Sequence, residues 1–217
     1  MSARVEEYRH KVGIVHSFMS RHGLDAVILT RRCNFAWLTA GGLNHVGTAV
    51  EAGAASLLVT AEGTECITSN IESPRVHAEE LSELGIRVRA YPWFDSLEPA
   101  RVWEEALGRR TAACDARVAG LPSSVKNLDA SFNSLRWSLR SWEMDRYRQL
   151  GREVAETLES CCRQARPGMA EHELAARISE QLLARAIRTP TLLIAADERV
   201  RLYRHPIPTA KQFVQYG

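Results

Sequence analysis

No stretch of the 217-residue chain approaches the ~20 consecutive apolar residues that a membrane-spanning helix needs. Blocks of basic charge are also missing. The net charge is +2 with Lys and Arg spread along the chain, which leaves no electrostatic footprint for nucleic acid and no polybasic patch for a membrane surface. The start, Met1-Ser2-Ala3-Arg4, has no apolar run and is soon followed by Glu6 and Glu7, so no signal peptide is expected there. The phosphate-cradling patterns GxGxxG and GxxxxGK[ST], the GxSxG nucleophile elbow and HExxH do not occur. Cys33, Cys66, Cys114, Cys161 and Cys162 form an odd, scattered set without a CxxC pair. Adjacent Cys161 and Cys162 point to different sides of a helix, which suits neither zinc nor a local disulfide. Reduced thiols in a cytoplasmic protein are the expectation.

What is present is ordinary for a globular chain: 45% hydrophobic and 25% charged residues, in a length sufficient for one large or two smaller domains. From Ser2 to about His22, Val5, Tyr8, Val12, Val15 and Met19 recur at helical steps, and Gly23 is placed to end the helix. Asp25–Thr30 is a short apolar run, read as a buried strand, and Cys33–Leu38 as one or two helical turns before Gly41-Gly42. Ala54–Thr60 and Glu65–Ser69, separated by a Gly-containing turn, read as an antiparallel hairpin. Pro74 opens a helix to Leu84, stopped by Gly85. Ile86–Tyr91 alternates as a half-exposed strand does, Pro99–Leu107 is a further helix ended by Gly108, and Asp115–Ala119 is read as a last strand. Strands alternating with helices, and a hairpin among them, predict an α/β domain with a mixed sheet.

Gly120-Leu-Pro-Ser-Ser124 breaks this pattern, and Leu128, Phe132, Leu135 and Leu139 follow at helical spacing. A long helix is expected from about Ser141, its N-cap, to Ala165. Met144, Tyr147, Leu150, Val154, Leu158 and Cys161 lie along one face and Glu143 in its first turn. After Arg166-Pro167-Gly168 a second helix runs from about Ala170 to Ala186, with Glu171 and Glu173 in its first turn. Thr191–Ala196 is read as a buried strand. The domains are placed at 1–136 and 137–217.

Few residues offer chemistry. Asp197-Glu198 stands at a strand end where carboxylates hold metals, but neighbours on a strand point to opposite faces, so a charged loop is the better reading. His172, between two glutamates, is expected to be exposed. Asn44-His45 lies in a loop, where a polar pair can reach a ligand. The sharpest candidate is Tyr203-Arg204-His205-Pro206-Ile207-Pro208-Thr209. Its prolines set φ and supply no backbone N–H, so His205 sits in a rigid, extended, non-helical stretch. On these residues alone an ordinary surface histidine at a strand-to-loop exit is the better reading of the stretch.

Three motifs in order carry a resemblance. Gly23-Leu24-Asp25-Ala26-Val27-Ile28-Leu29 with Cys33-Asn34-Phe35-Ala36-Trp37-Leu38-Thr39-Ala40-Gly41, then Leu139-Arg140 with Glu143, then Arg166-Pro167-Gly168 through Glu171 and Glu173-Leu174-Ala175, resemble the pita-bread metallopeptidase family of creatinase, aminopeptidase P and prolidase. The middle motif departs from the family in having no Lys at the usual place. The resemblance spans nearly the whole chain. It implies a creatinase-like N-terminal α/β domain followed by the start of a pita-bread α+β domain, with His205 as a substrate-binding residue and Arg204 as its neighbour. It further implies hydrolysis of a C–N bond in a small peptide or small molecule, and two divalent metal ions held by two Asp, one His and two Glu that generate a hydroxide. In the family those ligands follow the segment matching His205. Ala210 to Gly217 contain no Asp, His or Glu, so the expectation is an N-terminal portion that is catalytically silent alone and has no metal ligands of its own. A non-catalytic peptide-binding module of the same fold is the alternative. Pairing as a homodimer is implied by the resemblance only.

Overall fold

The computed structural model describes residues 2–216, which form two units dividing between Ser138 and Leu139. The first opens with α1 (Ala3–His22). Ser2 Oγ accepts the Val5 N–H at its start, and Gly23 closes it at φ 61, a left-handed conformation that glycine adopts without a Cβ penalty. β1 (Ala26–Arg31) follows, buried at its first five positions, and runs directly into α2 (Arg32–Leu38). β2 (Ala52–Thr60) and β3 (Gly63–Ser69) pair antiparallel with Thr60 opposite Gly63, the expected hairpin.

The helix expected from Pro74 to Leu84 is not uniform. α3 (Ser73–Arg75) widens into a π-helical stretch at Val76–Leu81 and tightens into a 3₁₀ turn at Ser82–Leu84 before Gly85. Val76 and Leu81 are five residues apart, a spacing that a regular α-helix splays and a wider turn brings to the same side. Both are fully buried.

β4 (Arg87–Tyr91) lies parallel to β3, and α4 (Glu98–Leu107) crosses to β5 (Ala112–Cys114), which is parallel to β1. The strand expected at Asp115–Ala119 is therefore earlier. Ala112–Cys114 is small and fully buried, so it can pair beside Ala26–Ile28, whereas Asp115 needs donors. Its carboxylate accepts the Thr30 N–H at 2.7 Å, the Arg31 N–H at 3.0 Å and Asn34 Nδ2 at 2.8 Å, so it ties off the end of β1. Burial nonetheless pushes the Asp115 carboxyl above its ordinary range against those donors. A two-residue β6 (Lys126–Asn127) and α5 (Ala130–Ser134), with Asp129 accepting the Ser131 N–H, complete the unit.

The sheet order is β4-β3-β2-β1-β5-β6, with parallel and antiparallel neighbours. Alternation along the strands divides the core into two layers. Val27, Leu29, Leu57 and Val59 meet Val15, Phe18, Phe35 and Phe132 on one face. Ala26, Ile28, Leu58 and Ile67 meet Val102, Trp103 and Leu107 of α4 on the other. Among the described residues no helix is long and apolar enough to cross a membrane.

Candidate functional site

The second unit is built on two helices. α6 (Ser141–Arg163) starts with the Glu143 carboxylate accepting the Arg140 N–H at 3.0 Å, so Arg140 and not Ser141 is the capping position. Its apolar line is fully buried only at Cys161. Val154 is half-buried, and Met144, Tyr147 and Leu150 are exposed. Gly168, at φ 89, lets the chain turn back into α7 (Glu171–Leu183). Leu174, Ile178 and Leu182 then pack with Cys161, Met169, Ile194, Ala196 and Phe213.

Thr191–Ala196 is not a strand. A strand needs a neighbour offering alternating N–H and C=O groups, and the chain beside it carries Pro206 and Pro208, which have no N–H. One backbone bond joins the two segments, Ile194 N–H to Pro206 O at 3.2 Å. A short α8 (Arg199–Leu202) follows where the sequence suggests only a loop.

Glu171, read from the sequence as a first-turn acid, has no exposed surface. Its Oε1 accepts the Ala196 N–H at 2.8 Å, and its Oε2 accepts the Thr209 N–H at 2.8 Å and the Thr209 hydroxyl at 2.7 Å. Arg199 Nε lies 2.9 Å from Oε1, but its N–H points off the line to that oxygen, so this contact is an ion pair and not a hydrogen bond. Arg199 Nη2 donates to the Ile207 carbonyl at 2.8 Å, and its guanidinium lies 5.2 Å from the Tyr203 ring centroid.

Burial acts to raise the Glu171 pKa. The Thr209 hydroxyl, the Ala196 and Thr209 amides and Arg199 together outweigh it and hold the carboxyl below its ordinary 4.5. A carboxyl depressed on folding stabilises the native state above its unfolded pKa and loses that contribution as pH falls through the folded value. Loosening of the 196–209 region is therefore expected only as pH drops below about 4.5, measurable as amide exchange at Ala196 and Thr209. Neighbouring charges in this titration are Arg199 and Lys211, the latter paired with Glu198 at 2.9 Å.

Arg204 and His205 sit at a bend in the stretch that these contacts anchor. Both are exposed, and neither side chain has a hydrogen-bond or ion-pair partner among the described residues. His172 is exposed, as expected, while its N–H donates to Thr209 O. Asp197 and Glu198 share no hydrogen-bond partner, although Lys211, paired with Glu198, also lies near enough to favour the Asp197 charge. Asp197, at φ 54, accepts the Gln215, Val214 and Tyr216 N–H groups, which hold its carboxyl below the ordinary range.

Asn44 is not available to a ligand. It is 1% exposed, with Nδ2 donating to Ala55 O and Thr30 O and Oδ1 accepting the Ala55 N–H, which bridges its loop to β1 and β2. His45 is half-buried beside Arg31, Arg32 and Glu51 in a surface cleft of about 460 Å³. Nothing in the residue types distinguishes Asn44 or Glu171 from surface polar residues. Only their assembled partners do. Among the described residues no group of three or more His, Cys, Asp or Glu side chains is placed to hold a metal ion. The residues present thus do not supply a donor set for the paired divalent ions that the resemblance implies.

No protein-family model matches the chain, and no curated protein matches it in sequence. Solved structures do match it. An Xaa-Pro dipeptidase from Bacillus anthracis aligns over 95% of this chain at 15% identity and a TM-score of 0.71. A prolidase from Pyrococcus horikoshii OT3 aligns over 95% at 15% identity and 0.70, and the dipeptidase PepE from Mycobacterium ulcerans over 96% at 17% and 0.66. The chain spans 58% of the length of each of these three. Such coverage reaches past the first unit into the second. The chain thus has the fold of the creatinase, aminopeptidase P and prolidase group, with a creatinase-like N-terminal α/β domain built on a mixed sheet.

Proposed function

We propose that this chain is part of an Xaa-Pro peptidase or creatinase-like hydrolase that cleaves a C–N bond in a short peptide or small molecule, with His205 contacting the substrate and Arg204 beside it. One observation carries the reading. An imidazole and a guanidinium with no hydrogen-bond or ion-pair partner among the described residues stand on a stretch anchored by an ion pair to a buried carboxylate, in a fold shared with proteins named Xaa-Pro dipeptidase and prolidase. The imidazole supplies a hydrogen-bonding group and the guanidinium a permanent positive charge, which suits a substrate carbonyl or carboxylate. A cytoplasmic location, supported by five free cysteines, and a homodimer belong to the same proposal.

The test is titration of the isotope-labelled chain with Gly-Pro and, as control, Pro-Gly. Saturable shifts at His205 and at the amides of Arg204, Ile207 and Thr209 with Gly-Pro alone are expected, with the amide shifts abolished by His205→Ala. Shifts that ignore His205→Ala overturn the assignment. Hydrolysis of Gly-Pro by the protein from the complete reading frame, supplied with divalent ions, separates the hydrolase from a peptide-binding module, which binds without turnover.

A further inference from the structure

Arg204 and His205 hang on a stretch that cannot hold itself. Pro206 and Pro208 have no N–H, and α8 ends at Leu202, so no ladder or helix continues through these residues. Their location depends on the few contacts that reach the stretch from outside. Ile194 N–H bonds Pro206 O, and beyond the stretch the His172 and Glu171 amides bond Thr209 O and Lys211 O; the side-chain anchors converge on one group, the Glu171 carboxylate. It receives Ala196 before the stretch and Thr209 after it, and through Arg199 it reaches the Ile207 carbonyl.

We infer that Glu171 is the positioning residue of the proposed site: its buried carboxylate ties Ala196, Arg199 and Thr209 together and thereby sets where Arg204 and His205 are presented. Glu171 has no exposed surface and so does not touch substrate. It acts through the backbone that it holds. A carboxylate has lone pairs for all these donors at once. Glutamine at this position offers one carbonyl oxygen and turns an NH₂ group toward groups that are themselves donors. An uncharged substitute also leaves Arg199 without its counter-charge. The inference rests on the functional reading for what His205 contacts, but not for how the stretch is held.

The experiment uses the full chain with three readouts: the rate of trypsin cleavage after Arg201 and Arg204, the His205 ring signals in histidine-labelled protein, and Gly-Pro affinity. His16, whose Nε2 lies 2.9 Å from Thr60 O in the first unit, is the internal reference. With Glu171→Gln, cleavage is expected to accelerate at least tenfold and the His205 signals to collapse toward those of a free peptide, while His16 stays in place. Glu171→Asp is expected to restore part of the protection, because it keeps the charge.

Thr209→Val removes the hydroxyl's bond to Glu171 Oε2 and its acceptance of the Lys211 N–H, and leaves the ion pair. It guards against wholesale unfolding of the second unit, and about threefold faster cleavage is expected. Unchanged cleavage and unchanged His205 signals in Glu171→Gln, or unchanged cleavage in Thr209→Val should Glu171→Gln not fold, overturn the inference. If the wild-type chain does not bind Gly-Pro, the functional reading fails, and cleavage and ring signals still decide the role of Glu171.

Discussion

Lys11→Met is expected to destabilise the first unit by about 3–5 kcal/mol, the usual cost of removing one partner of a buried ion pair. Lys11 Nζ lies 2.6 Å from Glu7 Oε1, both side chains are 2% exposed, and the ammonium stands 5.5 Å from the Trp37 ring centroid. Methionine fills a similar volume, so the expected loss comes from breaking the Lys11–Glu7 pair and not from a cavity. The double variant Glu7→Leu/Lys11→Met removes both charges and is expected to recover most of the loss, because a well-packed apolar pair often equals or exceeds a buried ion pair. Urea unfolding of the three proteins, followed by far-ultraviolet circular dichroism, reads the difference. A single variant as stable as wild type removes the pair from the account of the core.

The second large effect is on the opposite face of the sheet. Trp103 is among the largest fully buried side chains, and it joins α4 to Ile28, Leu58, Ile67 and Cys114. Trp103→Ala loses the transfer energy of the indole and leaves a cavity that a close-packed layer cannot fill, a loss of about 3–5 kcal/mol. Trp93 and Trp137 are 63% and 76% exposed. Their alanine variants are expected to fall within about 0.5 kcal/mol of wild type. The same residue type therefore spans the scale, and thermal melts of the three variants test whether burial sets the cost.

Neither effect has an equal signature in the chain. The apolar recurrence Val5, Tyr8, Val12, Val15 and Met19 marks α1 as amphipathic, yet Val5, Tyr8 and Val12 are only half-buried. The most enclosed line runs through Glu7, Lys11, Val15 and Phe18. Two charges belong to the core face because they neutralise each other one helical turn apart, and spacing alone cannot reveal that solvent is excluded there. The candidate site divides in the same way. Pro206 and Pro208 mark the stretch around His205 as extended and unable to pair, whereas Glu171, which organises it, reads as an ordinary acid in the first turn of a helix.

The sequence by itself determined several of the points at which elements stop. Gly23 and Gly85 take the left-handed conformation that ends a helix, the Gly63 hairpin returns the chain, and strand alternation assigns Val27 and Leu29 to one face and Ile28 to the other. These outcomes depend on a residue's own φ preference, its N–H and its immediate neighbours. Only the tertiary structure decided that Ala112–Cys114, and not Asp115–Ala119, lies beside β1, that Thr191–Ala196 finds no ladder, and that Asn44 and Glu171 are buried. Pairing and the burial of a polar group require donors and acceptors from segments far apart in the chain, and they exist only once the fold has brought them together.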